Sequence, residues 1–147
     1  MEPQSILLVE DNDDDAELTV RAFTQANIAN SLVRVSDGVE ALDYLFARGT
    51  YGHRDPRSLP VLVLLDLKLP RLDGIDVLKA IRAHDSTRYL PVVMLTSSDH
   101  DRDRLAAYRN QVNSYVKKPV DYDQFVEAAR HLGLYWVVLN LPVPVTK

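Results

Sequence analysis

Val61-Leu62-Val63-Leu64-Leu65 runs into Asp66 without one polar interruption. A strand reads this way when both of its faces are buried, and parallel sheets covered by helices produce such strands. Three other apolar stretches end in a comparable manner. Ser5-Ile6-Leu7-Leu8-Val9 leads into Glu10 and Asp11, Val92-Val93-Met94-Leu95 into Thr96, and Ser114-Tyr115-Val116 into Lys117, Lys118 and Pro119. In an open parallel α/β sheet, ligands sit outside the carboxyl ends of the strands. The four endings are therefore expected to meet, bringing three carboxylates, a hydroxyl and an ammonium around one small volume. Such a set suits a divalent cation and a phosphoryl group.

The segments between these runs read as helices. Asp13 to Asn27 has helical spacing, with Ala16, Val20 and Phe23 predicted on its inner face and Leu18 and Ala22 beside it. Asn12 or Asp13 can cap its start, and the acids that follow suit the positive end of a helix dipole. Leu32 to Val35 is a short strand. Asp37-Gly38 opens a second helix carrying Val39, Leu42, Leu45 and Phe46, which Gly49 is predicted to end; Gly49, Gly52, Pro56 and Pro60 mark the loop 49–60. After the turn Pro70 to Gly74, a third helix over Asp73 to Ala83 turns Ile75, Leu78 and Ile81 inward and Lys79 and Arg82 outward. Ser98 or Asp99 is expected to cap a fourth helix reaching Asn110, and Asp121 a fifth with Phe125, Ala128, Ala129 and Leu132. Five strand–helix alternations predict an α/β protein with helices on both faces of a parallel sheet. Right-handed crossovers leave few arrangements. The expectation is a flavodoxin-like, doubly wound (βα)5 sheet in the order 2-1-3-4-5, whose switch point lies between the strands ending in Glu10-Asp11 and in Asp66.

The bulk properties agree with this. A length of 147 residues suits one domain with a single core, here taken as residues 1–147 with 133–147 as an apolar C-terminal extension. The net charge of −4, with scattered basic residues, argues against nucleic acid as a partner. The absence of cysteine excludes disulfides, thiolate metal sites and cysteine nucleophiles. No apolar run approaches the roughly 18 residues of a membrane span, and no signal-peptide pattern opens the chain. A cytoplasmic protein is expected.

Each residue at the strand ends has a chemical reading and an ordinary one. Asp11 and Asp66 can bind Mg²⁺ directly, and Glu10 directly or through water, since that ion takes oxygen ligands and keeps several waters. The ordinary reading of Glu10 to Asp15 is a solvated, helix-capping acidic run, but it leaves unexplained the acid that ends the most buried strand. A carboxylate can attack phosphorus to give an acyl phosphate, which makes Asp66 the candidate nucleophile. Thr96 offers a hydroxyl and Lys118 a mobile cation, both fit to bond phosphoryl oxygens where charge develops.

The residues also resemble the bacterial response-regulator receiver domain. The resemblance is carried by Glu10-Asp11, by Leu64-Leu65-Asp66-Leu67-Lys68-Leu69-Pro70, by the turn Pro70-Arg71-Leu72-Asp73-Gly74, by Thr96-Ser97-Ser98 and by Lys118-Pro119. It covers about residues 5 to 132, and the separations of 30 residues from Asp66 to Thr96 and 22 from Thr96 to Lys118 match it. It implies that Asp66 accepts a phosphoryl group from a phosphohistidine on a sensor histidine kinase. It implies that Glu10, Asp11, Asp66 and the Lys68 backbone carbonyl hold Mg²⁺, and that Thr96 and Lys118 bind the acyl phosphate. Tyr115 falls where the family carries a rotating switch aromatic, paired with Thr96, and the Lys118–Pro119 bond is implied to be cis. Two positions depart from the commonest pattern: Glu10 replaces Asp, and Lys68 places a cation two residues beyond the acceptor. A Mg²⁺-dependent aspartyl phosphohydrolase is the alternative, but such enzymes commonly want a second acid where Lys68 stands. A flavin carrier of the same topology needs a phosphate-cradling first loop, and Glu10 to Asp15 would repel phosphate.

Tyr135, Trp136, Val137, Val138, Leu139 and Leu141 are too apolar for a solvated tail. Either the segment packs on its own domain or it buries against another chain; exposed apolar patches and Trp/Tyr mark interfaces. A homodimer is expected, through the face of the fourth helix, fifth strand and fifth helix together with this extension. The tail and the 49–60 loop resemble stand-alone receivers that serve phytochrome-type kinases. No DNA-binding module is expected in the residues beyond the last helix, and output is assigned to protein contact or onward phosphotransfer rather than to enzymatic turnover.

Overall fold

The structure, a computed structural model, describes residues 5–28, 30–98, 100–118, 121–133, 135 and 136. The chain alternates β1 (Ile6–Val9), α1 (Asp13–Gln25), β2 (Leu32–Val35), α2 (Gly38–Leu45), β3 (Leu62–Leu65), α3 (Gly74–Ala83), β4 (Val92–Thr96), α4 (Asp101–Arg109), β5 (Ser114–Lys117) and α5 (Tyr122–Leu132), with a 3₁₀ turn at Gly49–Tyr51. The strands form one parallel sheet in the order β2-β1-β3-β4-β5, as the alternation predicts.

The unbroken apolar runs follow from burial on both faces. Leu7, Val9, Val63, Leu65, Val92 and Met94 belong to a layer shared with α2 and α3. Their neighbours Ile6, Leu8, Leu62, Leu64, Val93 and Leu95 belong to the opposite layer with α1 and α5. Successive side chains of a strand point to opposite faces, so an apolar residue is required at every position rather than at alternate ones. The helices start where the capping residues predict: Asn12, Asp37, Asp73 and Asp121 each accept an N–H from the first turn of the helix they precede.

Several local expectations are corrected. On α1 the inward residue is Thr19, and Val20 is 38% exposed. Thr19 tolerates burial because its hydroxyl donates to the Asp15 carbonyl at 2.8 Å. The second helix ends at Leu45, not at Gly49. Phe46 closes it, Ala47 takes a left-handed φ of 53°, and Gly49, also left-handed, opens the 3₁₀ turn. The cap of α4 is His100, without a side-chain bond; Ser98 instead donates its hydroxyl to Asp103 at 2.7 Å. In α3, Val77 is fully buried and Ile75 only half so.

Arg82 does not face out. Its Nε and Nη2 donate to the Gln111 carbonyl, Nη1 to the Arg88 and Leu90 carbonyls, and Nη2 also to Asn113 Oδ1, at 2.7–3.1 Å. Burial pushes its pKa down from the ordinary value. One guanidinium thus ties the α3–β4 connection to the α4–β5 connection, and its fork geometry is what lets it serve several carbonyls. Replacing Arg82 by Met is expected to remove roughly 2 kcal/mol of stability, read as a lower urea midpoint at unchanged slope. Replacement by Lys should recover little, because a single ammonium cannot reach both connections. A midpoint equal to that of the unaltered chain for Arg82→Met would refute the clamp.

Of the extension, Trp136 is half-buried against the α1/α5 layer and Tyr135 is exposed, their rings edge-on at 4.8 Å. Gly133 lies so close to α1's end that a Cβ there would meet the Ile28 side chain. The part of the extension over residues 137–147, and the predicted cis bond into Pro119, lie outside the described residues.

Candidate functional site

The sheet carries its ladder one residue past several strand ends. The Glu10 N–H donates to the Val35 carbonyl, the Asp66 N–H to Val9 and the Lys118 N–H to Thr96, at 2.7–3.1 Å. These bonds pull the residues that follow β1, β3 and β5 to one edge, across the switch point between β1 and β3. Glu10, Asp11 and Asp66 each offer a carboxylate oxygen within 4.8 Å of the others. Glu10 is 2% exposed and Asp66 8%, whereas Asp11 faces solvent.

The two oxygens of Asp66 are not equivalent. Oδ1 accepts the Leu67 N–H at 2.7 Å, and Oδ2 is turned to the Lys118 ammonium at 3.4 Å. The same ammonium donates to Glu10 Oε1 at 2.5 Å and to Asp15 Oδ2 at 3.0 Å. The backbone behind Asp66 is packed tightly: Gly74 N–H donates to Leu67 O, and a Cβ at Gly74 would lie 2.2 Å from the Asp66 carbonyl oxygen. Only glycine allows α3 to begin this close to the acid.

The cluster carries too much negative charge for one ammonium. Burial, helped by the nearby Asp66 carboxylate and only partly offset by Lys118, pushes the Glu10 carboxyl up to about 7. Burial alone would lower the Lys118 ammonium, but the carboxylates of Glu10, Asp66 and Asp15 outweigh it and hold the group above its ordinary value. The two upward shifts differ in origin: burial dominates at Glu10, and the surrounding carboxylates dominate at Lys118. Oxygen donors with surplus negative charge form a site that fits a hard divalent cation.

Thr96 is buried at the end of β4, where its hydroxyl oxygen accepts the Ser98 N–H at 3.3 Å. The Tyr115 hydroxyl donates to the Ser98 carbonyl at 2.8 Å. Ser98 therefore links the two residues predicted to act as a switch pair. Lys68 is exposed in the loop that leaves Asp66.

Glu10, Asp11, Asp66 and Lys118 are thus brought together, with Thr96 one strand away and Tyr115 tied to the loop Thr96 begins. Two participants are missed by the sequence reading. Asp15 sits in a run of three identical acids, and the only signal that it faces the pocket is its place one residue before buried Ala16. Arg34, on the edge strand β2, donates from Nε to the Glu10 carbonyl at 3.0 Å and from Nη1 to Asp13 at 2.8 Å. Nothing in the short strand Leu32 to Val35 signals that.

The sequence profile of the response regulator receiver domain matches residues 6–130. The probable methanogenesis regulatory protein FilR2 of Methanothrix harundinacea is 42% identical over 139 residues, which are 95% of this chain and 87% of that protein. Among solved structures, the Mn(2+)-bound form of response regulator Rcp1 is 31% identical with a TM-score of 0.86, over 97% of this chain and 100% of that one; Rcp1 is a protein of Synechocystis sp.. The phosphorylated cyanobacterial phytochrome response regulator RcpA is 32% identical with a TM-score of 0.87, over 96% and 99%.

Proposed function

Because the chain belongs to the response regulator receiver domain family, we propose that it is a single-domain response regulator that takes a phosphoryl group from a sensor histidine kinase onto Asp66. The observation that carries this reading is the asymmetry of Asp66: one carboxylate oxygen is pinned by a backbone N–H, and the other points at the only ammonium within the acidic cluster among the described residues. Asp66 Oδ2 is then the nucleophile. It forms the O–P bond of an acyl phosphate as the N–P bond of the phosphohistidine breaks and the electron pair returns to the imidazole.

Glu10, Asp11, Asp66 and the Lys68 carbonyl are the residues that would hold Mg²⁺, which when bound supplies positive charge to the phosphoryl oxygens. Lys118 leaves its carboxylate partners for a phosphoryl oxygen, and Thr96 donates its hydroxyl to another. A turn of Thr96 toward the phosphoryl group releases the Ser98 N–H and so acts on the Ser98–Tyr115 link, which changes the face of α4, β5 and α5. Such a switch works when two arrangements differ by only a few kcal/mol. The relatives named for phytochrome signalling support a phytochrome-type kinase as partner, and the exposed Leu105 and Tyr108 on α4 support a homodimer through that face. No described helix is long and apolar enough to cross a membrane, which is consistent with a cytoplasmic site of action.

The test is to incubate the protein with Mg²⁺ and acetyl phosphate, map the base-labile phosphate, and compare sizing profiles before and after. One phosphoryl group on Asp66, with chelator preventing its appearance, is the expected result. Label on another residue would overturn the assignment, and a monomer in both profiles would remove the dimer.

A further inference from the structure

The carboxylates of Glu10, Asp11 and Asp66 crowd together at the ends of β1 and β3. Lys118 holds Glu10, Asp15 and Asp66 from inside the pocket. Among the described residues its ammonium bonds neither Asp11 nor the backbone of the β1–α1 loop, which contacts from outside can hold. Arg34 is placed to do this. It is in register with Leu8, so its side chain rises on the α1 side of the sheet. From there it grips the loop at two points that flank Asp11: the Glu10 carbonyl through Nε, and the Asp13 carboxylate through Nη1. Its contacts are to the back of the loop and not to the carboxylates that face the pocket. The Glu10 N–H is already bonded to the Val35 carbonyl of the same strand, so β2 holds both the N–H and the carbonyl of Glu10, the peptide groups on either side of its Cα. Asn12, between the two grip points, donates its N–H to Glu10 Oε2 and accepts the Asp15 N–H, which passes the constraint on to Glu10 and to Asp15, two of the three acids on Lys118.

We infer that Arg34 is a positioning residue that preorganises the metal-binding carboxylates Glu10 and Asp11 by bracing the β1–α1 loop from the edge strand. The inference rests on the proposed metal site and goes beyond it. Its sign is distinctive. A guanidinium near a divalent cation opposes binding by Coulomb repulsion, so removing it for electrostatic reasons alone would tighten binding. Removing a brace weakens it, by the tenfold or more typical of groups that orient metal ligands.

The experiment is titration calorimetry of Mg²⁺ into metal-free protein at 25 °C, with hydrogen exchange of the Asn12 and Asp15 amides followed in parallel. Arg34→Met is expected to raise the Mg²⁺ dissociation constant about tenfold and to speed exchange at those two amides without metal, while the amides of β3 exchange as in the unaltered chain. Arg34→Lys is expected to behave like Arg34→Met, because one ammonium keeps the charge but cannot span both grip points. An unchanged or smaller dissociation constant in Arg34→Met, rescue by Lys, or unaltered exchange at Asn12 and Asp15 would each overturn the brace. Absence of Mg²⁺ binding in the unaltered chain would instead overturn the metal site itself, with the exchange result then judging the brace alone.

Discussion

Asp66→Asn is expected to reduce phosphorylation by acetyl phosphate to background. An amide oxygen is a far poorer nucleophile than a carboxylate, and two of the neighbouring acids are already engaged by the Lys118 ammonium. Glu10 is tied to Lys118 at 2.5 Å, and Asp15 reaches the pocket only through the same ammonium. The substitution also replaces an anionic metal ligand by a neutral one, so Mg²⁺ affinity falls with it. Stability should move differently. Without metal, Asp66 and Glu10 repel across the switch point, and Asn removes that repulsion while keeping an oxygen for the Leu67 N–H. The melting temperature of the metal-free variant is therefore expected to equal or exceed that of the unaltered protein, as is common where a site holds groups at the expense of the fold. Intact-mass measurement and thermal melts check the two arms. Residual labelling at the original rate would show that the acceptor lies elsewhere.

The second large effect is expected for Lys118→Met in metal-free protein. Methionine keeps the length of the stem and removes the charge. Breaking a buried ion pair by removing one partner costs about 3–5 kcal/mol, which for a chain of this size corresponds to a melting temperature lower by roughly 10 °C. The loss should depend on pH with a definite sign. Glu10 titrates at about 7 in the folded protein against 4.5 ordinarily, so its contribution to stability is complete below 4.5 and is lost as pH rises through 7. Without the ammonium its folded value rises further. The deficit of Lys118→Met should therefore be large at pH 8 and shrink on acidification toward pH 5, and Mg²⁺ at pH 8 should restore part of it by replacing the missing positive charge. Equal deficits at pH 5 and pH 8 would show that the lysine acts through its packing alone.

These expectations separate what could be read along the chain from what could not. The sheet order and both core layers were legible because burial on two faces demands an apolar residue at each strand position, and that demand is written in consecutive letters. The inner face of α1 was less legible. Positions 19 and 20 both fit helical spacing from Ala16, and the apolar Val20 is the natural choice until the Thr19 hydroxyl is seen to satisfy itself on Asp15. Arg82 misleads for the same reason: a charged residue on a helix reads as solvated unless the carbonyls of two distant connections are known to converge on it. Asp15 and Arg34 escaped because their partners lie 103 and 24 residues away.

By itself the sequence determined which chemical groups stand at the ends of the strands and in what order, since local periodicity and the types of the terminal residues are properties of neighbours in the chain. Only the tertiary structure decided how those groups divide their charge: that one ammonium is shared among Glu10, Asp15 and Asp66, that Asp66 keeps a single oxygen for the pocket, and that the edge strand reaches round to brace the first loop. Charge balance depends on distances of a few ångströms between residues remote in sequence, and those distances exist only once the sheet has formed.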